Sequence, residues 1–265
     1  MSLNNTSKFQ FILTEIKNKI LFLTLNRPEK RNAFSYELIS ELKVAIKSVE
    51  NNPEVKIIVI KAAGDVFSAG ADLESLQKLQ HFTYEENLAD SLHLKELFEL
   101  IYLFPKIICA QIEGHAVAGG CGLATVCDFS FSTPNAKFGY TEVGIGFIPA
   151  LVSFFLIRKI GEGKARELLL SGKLISAQEA KLMGLINEVV STEDINKTVT
   201  EFAENIIKNV SSNSIQLTKK LINEIQNHSM QNALNMAAEL NAQSRLSDDC
   251  KKGIQSFLDK KKIIW

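Results

Sequence analysis

The chain has 265 residues, of which 46 % are hydrophobic and 23 % are charged. This length suits one large domain or one domain with a small appendage, and the composition excludes disordered and collagen-like proteins. The 30 basic and 30 acidic residues cancel, so the chain has no broad basic field that would attract nucleic acid or an anionic membrane.

The cysteines and the apolar segments bear on where the protein works. None of the four cysteines forms a Cys-x-x-Cys pair, so their spacing predicts neither a zinc site nor a disulfide framework. The N-terminal segment Met1–Gln10 is polar and lacks the apolar core of an export signal. The longest apolar stretch, Leu97–Ile112, contains Glu99, Pro105 and Lys106 and is too short to span a bilayer. We therefore predict a cytoplasmic protein.

Strand and helix patterns alternate in the first part of the chain. The runs Phe9–Glu15 and Lys19–Leu25 predict a β-hairpin with a polar link. Apolar residues at helical spacing predict a helix over Ser35–Val49, and the β-branched run Val55–Ile60 predicts a strand. The segment Gly64–Asp72 is predicted to form turns and a loop.

The middle of the chain continues this alternation. Residues 84–104 have a helical apolar face that ends before a proline. Ile107–Ile112 predicts a buried strand, and Gly119–Cys127 predicts the glycine-rich start of a buried helix. Two short strands are predicted at Phe129–Ser132 and Ala136–Phe138.

The C-terminal part is predicted to be helical. From Pro149 onward the pattern is helical, with Ile186–Val190 as the one strand-like exception. Strands that alternate with helices favour an α/β core, which we place at residues 1–190. A helical region follows at residues 191–265.

Two segments place small residues where a strand meets a loop or a helix, Phe67–Leu73 and Glu113–Leu123. Small residues let a ligand approach the backbone, and N–H groups at a helix N-terminus are unpaired and carry partial positive charge. Two such N–H groups aimed at one point form an oxyanion hole. Either segment alone would better suit a tight turn or a close helix contact.

The order and spacing of several motifs resemble one superfamily. Besides those two segments, the motifs are Asn26–Phe34, Cys127–Asp128, Phe138–Glu142 and Gly144–Pro149. Together they resemble the enoyl-CoA hydratase/isomerase (crotonase) superfamily over nearly the whole chain. The resemblance implies a spiral of ββα repeats that carries a CoA-thioester site. It also implies that the C-terminal helices join subunits into a homotrimer or a dimer of trimers.

The resemblance also implies which residues form the site. The N–H groups of Ala69 and Gly119 would bind the thioester oxygen, and Glu142 would be the general acid and base. The substrate would be an acyl-CoA thioester, with no separate cofactor, because coenzyme A is part of that substrate. Residues implied to bind it are Ala69, Gly70, Ala71, Asp72, Gly119 and, for the CoA phosphates, Lys30.

One position departs from the pattern of the two-glutamate hydratases. Those enzymes carry their first catalytic glutamate where this sequence has Gly122. Hydration uses two carboxylates to place water and move protons, whereas a single carboxylate suffices to shuttle a proton between two carbons. Enoyl-CoA isomerases of the superfamily resemble that second case, with one glutamate at the position of Glu142.

A second resemblance favours hydration. Gly122 followed by the segment Glu142–Ser153 resembles a bacterial branch of methylglutaconyl-CoA hydratases, which would link the chain to leucine degradation as well as fatty acid metabolism. We therefore predict an enoyl-CoA hydratase, a carbon–oxygen lyase. The alternatives are a Δ3-Δ2-enoyl-CoA isomerase and, in another class, a catalytically weak oligomer that binds CoA thioesters.

The remaining candidate residues are interpreted as structural. Glu113 is interpreted as a helix-entry residue, His115 as a packed side chain, and Cys121 and Cys127 as small buried residues. The sequence contains no P-loop, dinucleotide fingerprint, zincin motif or nucleophile elbow. We therefore expect neither a nucleotide cofactor nor a metal.

Overall fold

A computed structural model of the chain describes residues 9–265. The export-signal prediction rests mainly on residues 1–8, which lie outside the described residues. The strands are β1 (Ile12–Lys17), β2 (Ile20–Leu25), β3 (Ile57–Ala62), β4 (Val66–Ser68), β5 (Ile107–Ile112), β6 (His115–Val117), β7 (Phe129–Ser132), β8 (Lys137–Gly139), β9 (Ile175–Ser176) and β10 (Glu188–Val189). The helices are α1 (Tyr36–Ser48), α2 (Leu73–Leu79), α3 (Tyr84–Leu103), α4 (Gly119–Val126), α5 (Ala150–Ile160), α6 (Glu162–Ser171), α7 (Ala177–Met183), α8 (Ile195–Asn209), α9 (Ser212–Ile225), α10 (Met230–Leu246) and α11 (Asp248–Leu258).

The predicted hairpin is confirmed with shifted ends. Strands β1 and β2 pair antiparallel, from Ile12 opposite Leu25 to Lys17 opposite Ile20. The two turn residues, Asn18 and Lys19, have φ angles of 52° and 62°. Two-residue hairpin turns need such left-handed residues because only then does the turn match the twist of the strands.

The larger sheet has the strand order β1-β2-β3-β5-β7-β10. All neighbours except β1 and β2 are parallel. Every residue of β5 is buried, as expected of a parallel strand covered on both faces. The carboxyl ends of these strands lie at one edge, so the loops after β2, β3 and β5 meet there.

A smaller sheet consists of four short strands, of which the sequence pattern predicted only β8, at Ala136–Phe138. Its order is β4-β6-β8-β9, with β9 antiparallel to β8 and the others parallel. The segment Val66–Ser68 forms β4, so the loop predicted for it was wrong, and Ile175–Ser176 forms a strand besides the predicted one near residue 188. Strands of two or three residues are too short to produce a readable period. With β3, β5 and β7, the strands β4, β6 and β8 complete the predicted ββα repeats.

The C-terminal helices differ in what they bury. In α8, Ile195, Val199 and Ala203 are fully buried against the larger sheet, although the sequence division placed this helix with the oligomerisation region. Within the described residues, α9, α10 and α11 bury none of their own residues. They expose large apolar side chains instead, including Met230 and Phe257. The boundary at residue 190 stays a prediction.

No helix within residues 9–265 combines the length and apolar character needed to cross a membrane.

Candidate active site

The two small-residue segments come together at Gly70 and Gly119. Gly70 has a φ of 87°, which favours glycine. A Cβ atom added there would lie 2.8 Å from the Ala118 Cβ and 3.2 Å from the Gly119 nitrogen. The structure therefore brings Gly70 and Gly119 into direct contact, as the oxyanion-hole hypothesis requires.

The start of α4 also packs closely against β4, at Gly120 and Ser68. A Cβ on Gly120 would lie 2.3 Å from the Ser68 carbonyl oxygen. The residue before the helix, Ala118, has φ 50° and ψ −125° and provides no side-chain cap. A non-glycine residue in this region carries strain of about 1–3 kcal/mol. The first N–H groups of α4 thus lack a capping partner, and the helix dipole makes them attractive to negative charge.

The hydrogen bonds correct the predicted pair of donors. The Ala69 N–H donates to the Arg31 carbonyl oxygen at 3.0 Å, so it is not available to a substrate. The Phe34 N–H donates to Gly70 O, and the Asp72 N–H donates to Phe34 O. Because N–H directions alternate across this bridge, the N–H of Ala71 between them points away from Phe34. No acceptor among residues 9–265 takes it, nor that of Gly119.

Ala71 and Gly119, the residues with unpaired N–H groups, are more accessible to a ligand than the neighbouring Gly70 and Asp72. Ala71 is exposed and Gly119 is half-buried, whereas Gly70 and Asp72 are buried. The geometry therefore favours Ala71 and Gly119 as the donor pair. A sequence motif does not show this choice, because it depends on where the distant Arg31 carbonyl lies.

Glu142 opens a short 3-10 helix, Glu142–Ile145, directly after β8. Burial raises the pKa of its carboxyl group, and a hydrogen bond from its own backbone N–H opposes that shift in part. Its Oε2 atom is buried without a hydrogen-bond partner among the described residues. An unsatisfied buried acceptor costs about 1–3 kcal/mol, which a bound water or substrate would recover.

The residues just before Glu142 pack against α4. The Tyr140 hydroxyl is fully buried and lies 2.6 Å from the Thr125 Oγ1 of α4. Burial raises the pKa of the Cys121 thiol in α4 to about 12, and the Glu142 carboxylate adds to the rise. The segment that leads into Glu142 therefore packs against α4. The sequence did not single out Tyr140 or Thr125, although Tyr140 belongs to the motif that ends at Glu142.

The place of the first glutamate is filled by apolar side chains. A Cβ on Gly122 would lie 2.4 Å from Val152 Cγ1 of α5. It would also lie 3.1 and 3.2 Å from two ring atoms of Phe98 of α3. No space is left there for a carboxylate, and the side chains that replace it are hydrophobic.

Two predicted binding residues form ion pairs within the chain. The Asp72 carboxylate is buried, pairs with Arg27 at 3.1 Å and accepts hydrogen bonds from the Glu74 and Ser75 N–H groups at the start of α2. The Lys30 ammonium is exposed and lies 2.5 Å from Glu74 Oε1, which raises the pKa of Lys30. Lys30 is therefore exposed beside the start of α2, while the Asp72 side chain is committed to the fold.

Glu113 and His115 lie apart from this constellation, and both interpretations of them were wrong. Strand β6 separates Glu113 from α4. The Glu113 carboxylate accepts a hydrogen bond from the Gln111 side chain instead of capping the helix. His115 is exposed and not packed, and its Nδ1 accepts a hydrogen bond from the Lys137 N–H. Cys121 and Cys127 are buried as predicted. Within residues 9–265, no group of three or more His, Cys, Asp or Glu side chains could hold a metal ion.

This arrangement has a definite chemical capacity. Two unpaired N–H groups beside a helix N-terminus can stabilise negative charge that develops on a carbonyl oxygen. A half-buried carboxylate with a raised pKa can take a proton and give it back. Together they suit reactions that pass through an enolate.

Comparisons with known proteins agree with this geometry. The sequence model of the family described as enoyl-CoA hydratase/isomerase matches residues 15–265. A Thermus thermophilus protein provisionally named enoyl-CoA hydratase is 40 % identical over 245 residues, which are 92 % of this chain and 96 % of that protein. The crotonyl-CoA hydratase of Syntrophomonas wolfei is 33 % identical, covering 96 % of this chain and 97 % of that one.

Solved structures show the same fold. The crystal structure of an enoyl-CoA hydratase from Shewanella pealeana matches with a TM-score of 0.92 at 28 % identity, covering 97 % of each chain. The match of the family sequence model spans nearly the whole chain, and so do the relatives. This chain therefore belongs to the enoyl-CoA hydratase/isomerase family of enzymes.

Proposed function

We propose that the protein hydrates an enoyl-CoA thioester, with Glu142 as its single carboxylate acid and base. The observation that carries the proposal is the buried Oε2 atom of Glu142, which has no partner among the described residues and follows a segment packed against α4. The N–H groups of Ala71 and Gly119 would hold the thioester oxygen. The two relatives reported above, both named as hydratases, support the same reaction.

In the proposed reaction one carboxylate acts twice. Glu142 removes a proton from water as the water oxygen bonds to C3 of the substrate. The electron pair of the C2–C3 double bond moves through C2 to the thioester oxygen, where the two N–H groups stabilise the enolate. Glu142 then returns the proton to C2, which completes the addition of one water molecule. Removing one such N–H donor typically costs about 10²–10³ in kcat.

Isomerisation is the second candidate, and the filled space at Gly122 favours it. Val152 and Phe98 leave no position there for a second carboxylate that would hold the attacking water. Glu142 would take a proton from C2 of a 3-enoyl thioester and return it to C4, with the same enolate intermediate. No water enters this reaction.

The further parts of the proposal concern substrate, cofactor and assembly. A methylglutaconyl thioester is the finer substrate proposal, and coenzyme A would arrive only as part of the substrate. The exposed apolar side chains of α9, α10 and α11 support a homotrimer or a dimer of trimers. A weak CoA-thioester-binding oligomer stays the alternative without catalysis. The cytoplasmic location also stays a prediction.

A mass-resolved assay in heavy-oxygen water separates these candidates. The panel contains crotonyl-, 3-methylcrotonyl-, 3-methylglutaconyl- and 3-hexenoyl-CoA. Label in a 3-hydroxyacyl product establishes hydration, and a moved double bond without label establishes isomerisation. Tight binding without turnover of any member supports the binding oligomer.

Two variants test the proposed roles. Gly119→Pro removes one N–H while proline is tolerated at the first position of a helix, so we expect a loss of about 10²–10³ in kcat with α4 intact. Glu142→Gln should lower kcat about a hundredfold or more. Glu162→Gln, at an exposed helical glutamate that pairs with Arg166, is the matched control. Wild-type rates in either test variant contradict the corresponding role.

A further inference from the structure

A buried ion pair joins the two segments that meet at the exposed residue Ala71. Arg27 Nη2 lies 3.1 Å from Asp72 Oδ2, and the two side chains are only 11 % and 4 % exposed. Arg27 Nη1 donates to the Ala33 carbonyl oxygen at 3.0 Å. The Arg27 guanidinium group thus binds both Asp72, which follows Ala71, and Ala33, which precedes Phe34.

Stability alone does not account for this pair. Burying two charges costs desolvation that their attraction only roughly offsets, so a buried ion pair is weak evidence for stability. Arg27 Nε is also buried without a hydrogen-bond acceptor among residues 9–265, although the Phe11 ring lies 5.1 Å from the guanidinium carbon. A charged group kept buried with an unpaired donor calls for another explanation.

The backbone transmits the position of the pair to Ala71. Phe34 and Ala71 form an isolated parallel bridge, in which Phe34 N–H donates to Gly70 O at 2.6 Å and Asp72 N–H donates to Phe34 O at 3.1 Å. Arg27 therefore holds both sides of the bridge, at Ala33 and at Asp72. The direction of the Ala71 N–H depends on this bridge because it lies between the two bonded groups.

We propose that Arg27 and Asp72 are positioning residues that aim the Ala71 N–H at the thioester oxygen. This inference rests on the proposed function, in which that N–H stabilises the enolate. The pair touches no reacting atom. Its effect is geometric, and a displacement of about 1 Å in a positioned group can cost on the order of a hundredfold in rate.

The test compares Asp72→Asn and Arg27→Met with a matched control. Asparagine caps a helix as well as aspartate does, so Asp72→Asn can keep the cap of α2 through Oδ1. It replaces the oxygen that pairs with Arg27 by an NH2 group, which removes both the charge and the acceptor. Lys43→Met breaks a different ion pair, Lys43–Glu96, which joins α1 to α3 away from the bridge. Each purified variant is assayed for kcat and KM with the substrate that the wild type converts, and for thermal unfolding.

We expect both pair variants to lower kcat about ten- to a hundredfold with KM within about threefold, because the bound thioester loses an aligned donor. The double variant should be no slower than the slower single variant, since both changes break one interaction. Lys43→Met should keep kcat. Should Arg27→Met fail to fold, Asp72→Asn decides alone.

A folded Asp72→Asn enzyme with wild-type kcat overturns the positioning role, and so does a loss seen only in thermal stability. Gly119→Pro separates this failure from that of the proposed function. If Gly119→Pro is inactive while Asp72→Asn has wild-type kcat, only the positioning role is wrong. If Gly119→Pro also keeps wild-type kcat, the oxyanion site itself is wrong and the inference fails with it.

Discussion

The contact between Gly122 and Val152 allows a quantitative test of how the site is filled. A Cβ on residue 122 would lie 2.4 Å from Val152 Cγ1, well inside normal contact distance. Gly122→Ala therefore overpacks a closed region, at a cost of about 1–3 kcal/mol. At about 2–4 °C per kcal/mol for a chain of this size, Tm should fall by about 2–12 °C.

Val152→Ala supplies the second arm of a double-mutant cycle. Val152 is buried, so removing two carbon atoms should cost about 1–3 kcal/mol through lost burial and a small cavity. In the double variant the added methyl of residue 122 occupies the vacated space. The two costs should then fail to add, with a favourable coupling of about 0.5–3 kcal/mol.

Thermal unfolding measures all four proteins at one fixed protein concentration, because Tm would depend on concentration in the proposed oligomer. Additive costs, within about 0.5 kcal/mol, would refute the packing argument. The same cycle extends to function. Gly122→Glu should be tolerated only together with Val152→Ala, and in that background the ratio of hydration to isomerisation should rise.

Burial raises the pKa of Glu142, so its reactive carboxylate form is protonated at a higher pH than in an ordinary glutamate. The acid limb of the kcat/KM profile should therefore lie above the ordinary glutamate pKa of about 4.3. A limb at that value would count against Glu142 as the acid and base. Burial raises the pKa of the Cys121 and Cys127 thiols to about 12 and also raises the pKa of Cys109. In native protein at pH 8 a thiol reagent should therefore modify the partly exposed Cys250 and spare these three buried cysteines. Rapid modification of all four thiols would contradict their burial. Gly120→Ala should lower both Tm and kcat, because the new Cβ would lie 2.3 Å from the Ser68 carbonyl oxygen. The control is Gly163→Ala, whose Cβ would meet nothing within 4 Å. Equal Tm and kcat in the two variants would refute the close approach of α4 to β4.

The pattern of apolar residues was enough to predict the longer elements. The hairpin, α1, α3 and β5 lie within a few residues of their predicted ends. These elements are recognisable because their period and their end signals, such as Pro105 after α3, are local. The motifs around Gly70, Gly119 and Glu142 were likewise enough to identify the superfamily, since those motifs are short and occur in a characteristic order.

Only the tertiary structure decided which groups the site offers. Whether the N–H of Ala69 or of Ala71 is unpaired depends on the Arg31 carbonyl, and what replaces a carboxylate at Gly122 depends on Val152 from another helix. Arg27 and Asp72 are 45 residues apart in sequence. Unpaired donors, filled spaces and buried ion pairs are properties of segments that meet only after folding. The sequence by itself determined the residue types, while their hydrogen-bond partners and free space follow from packing.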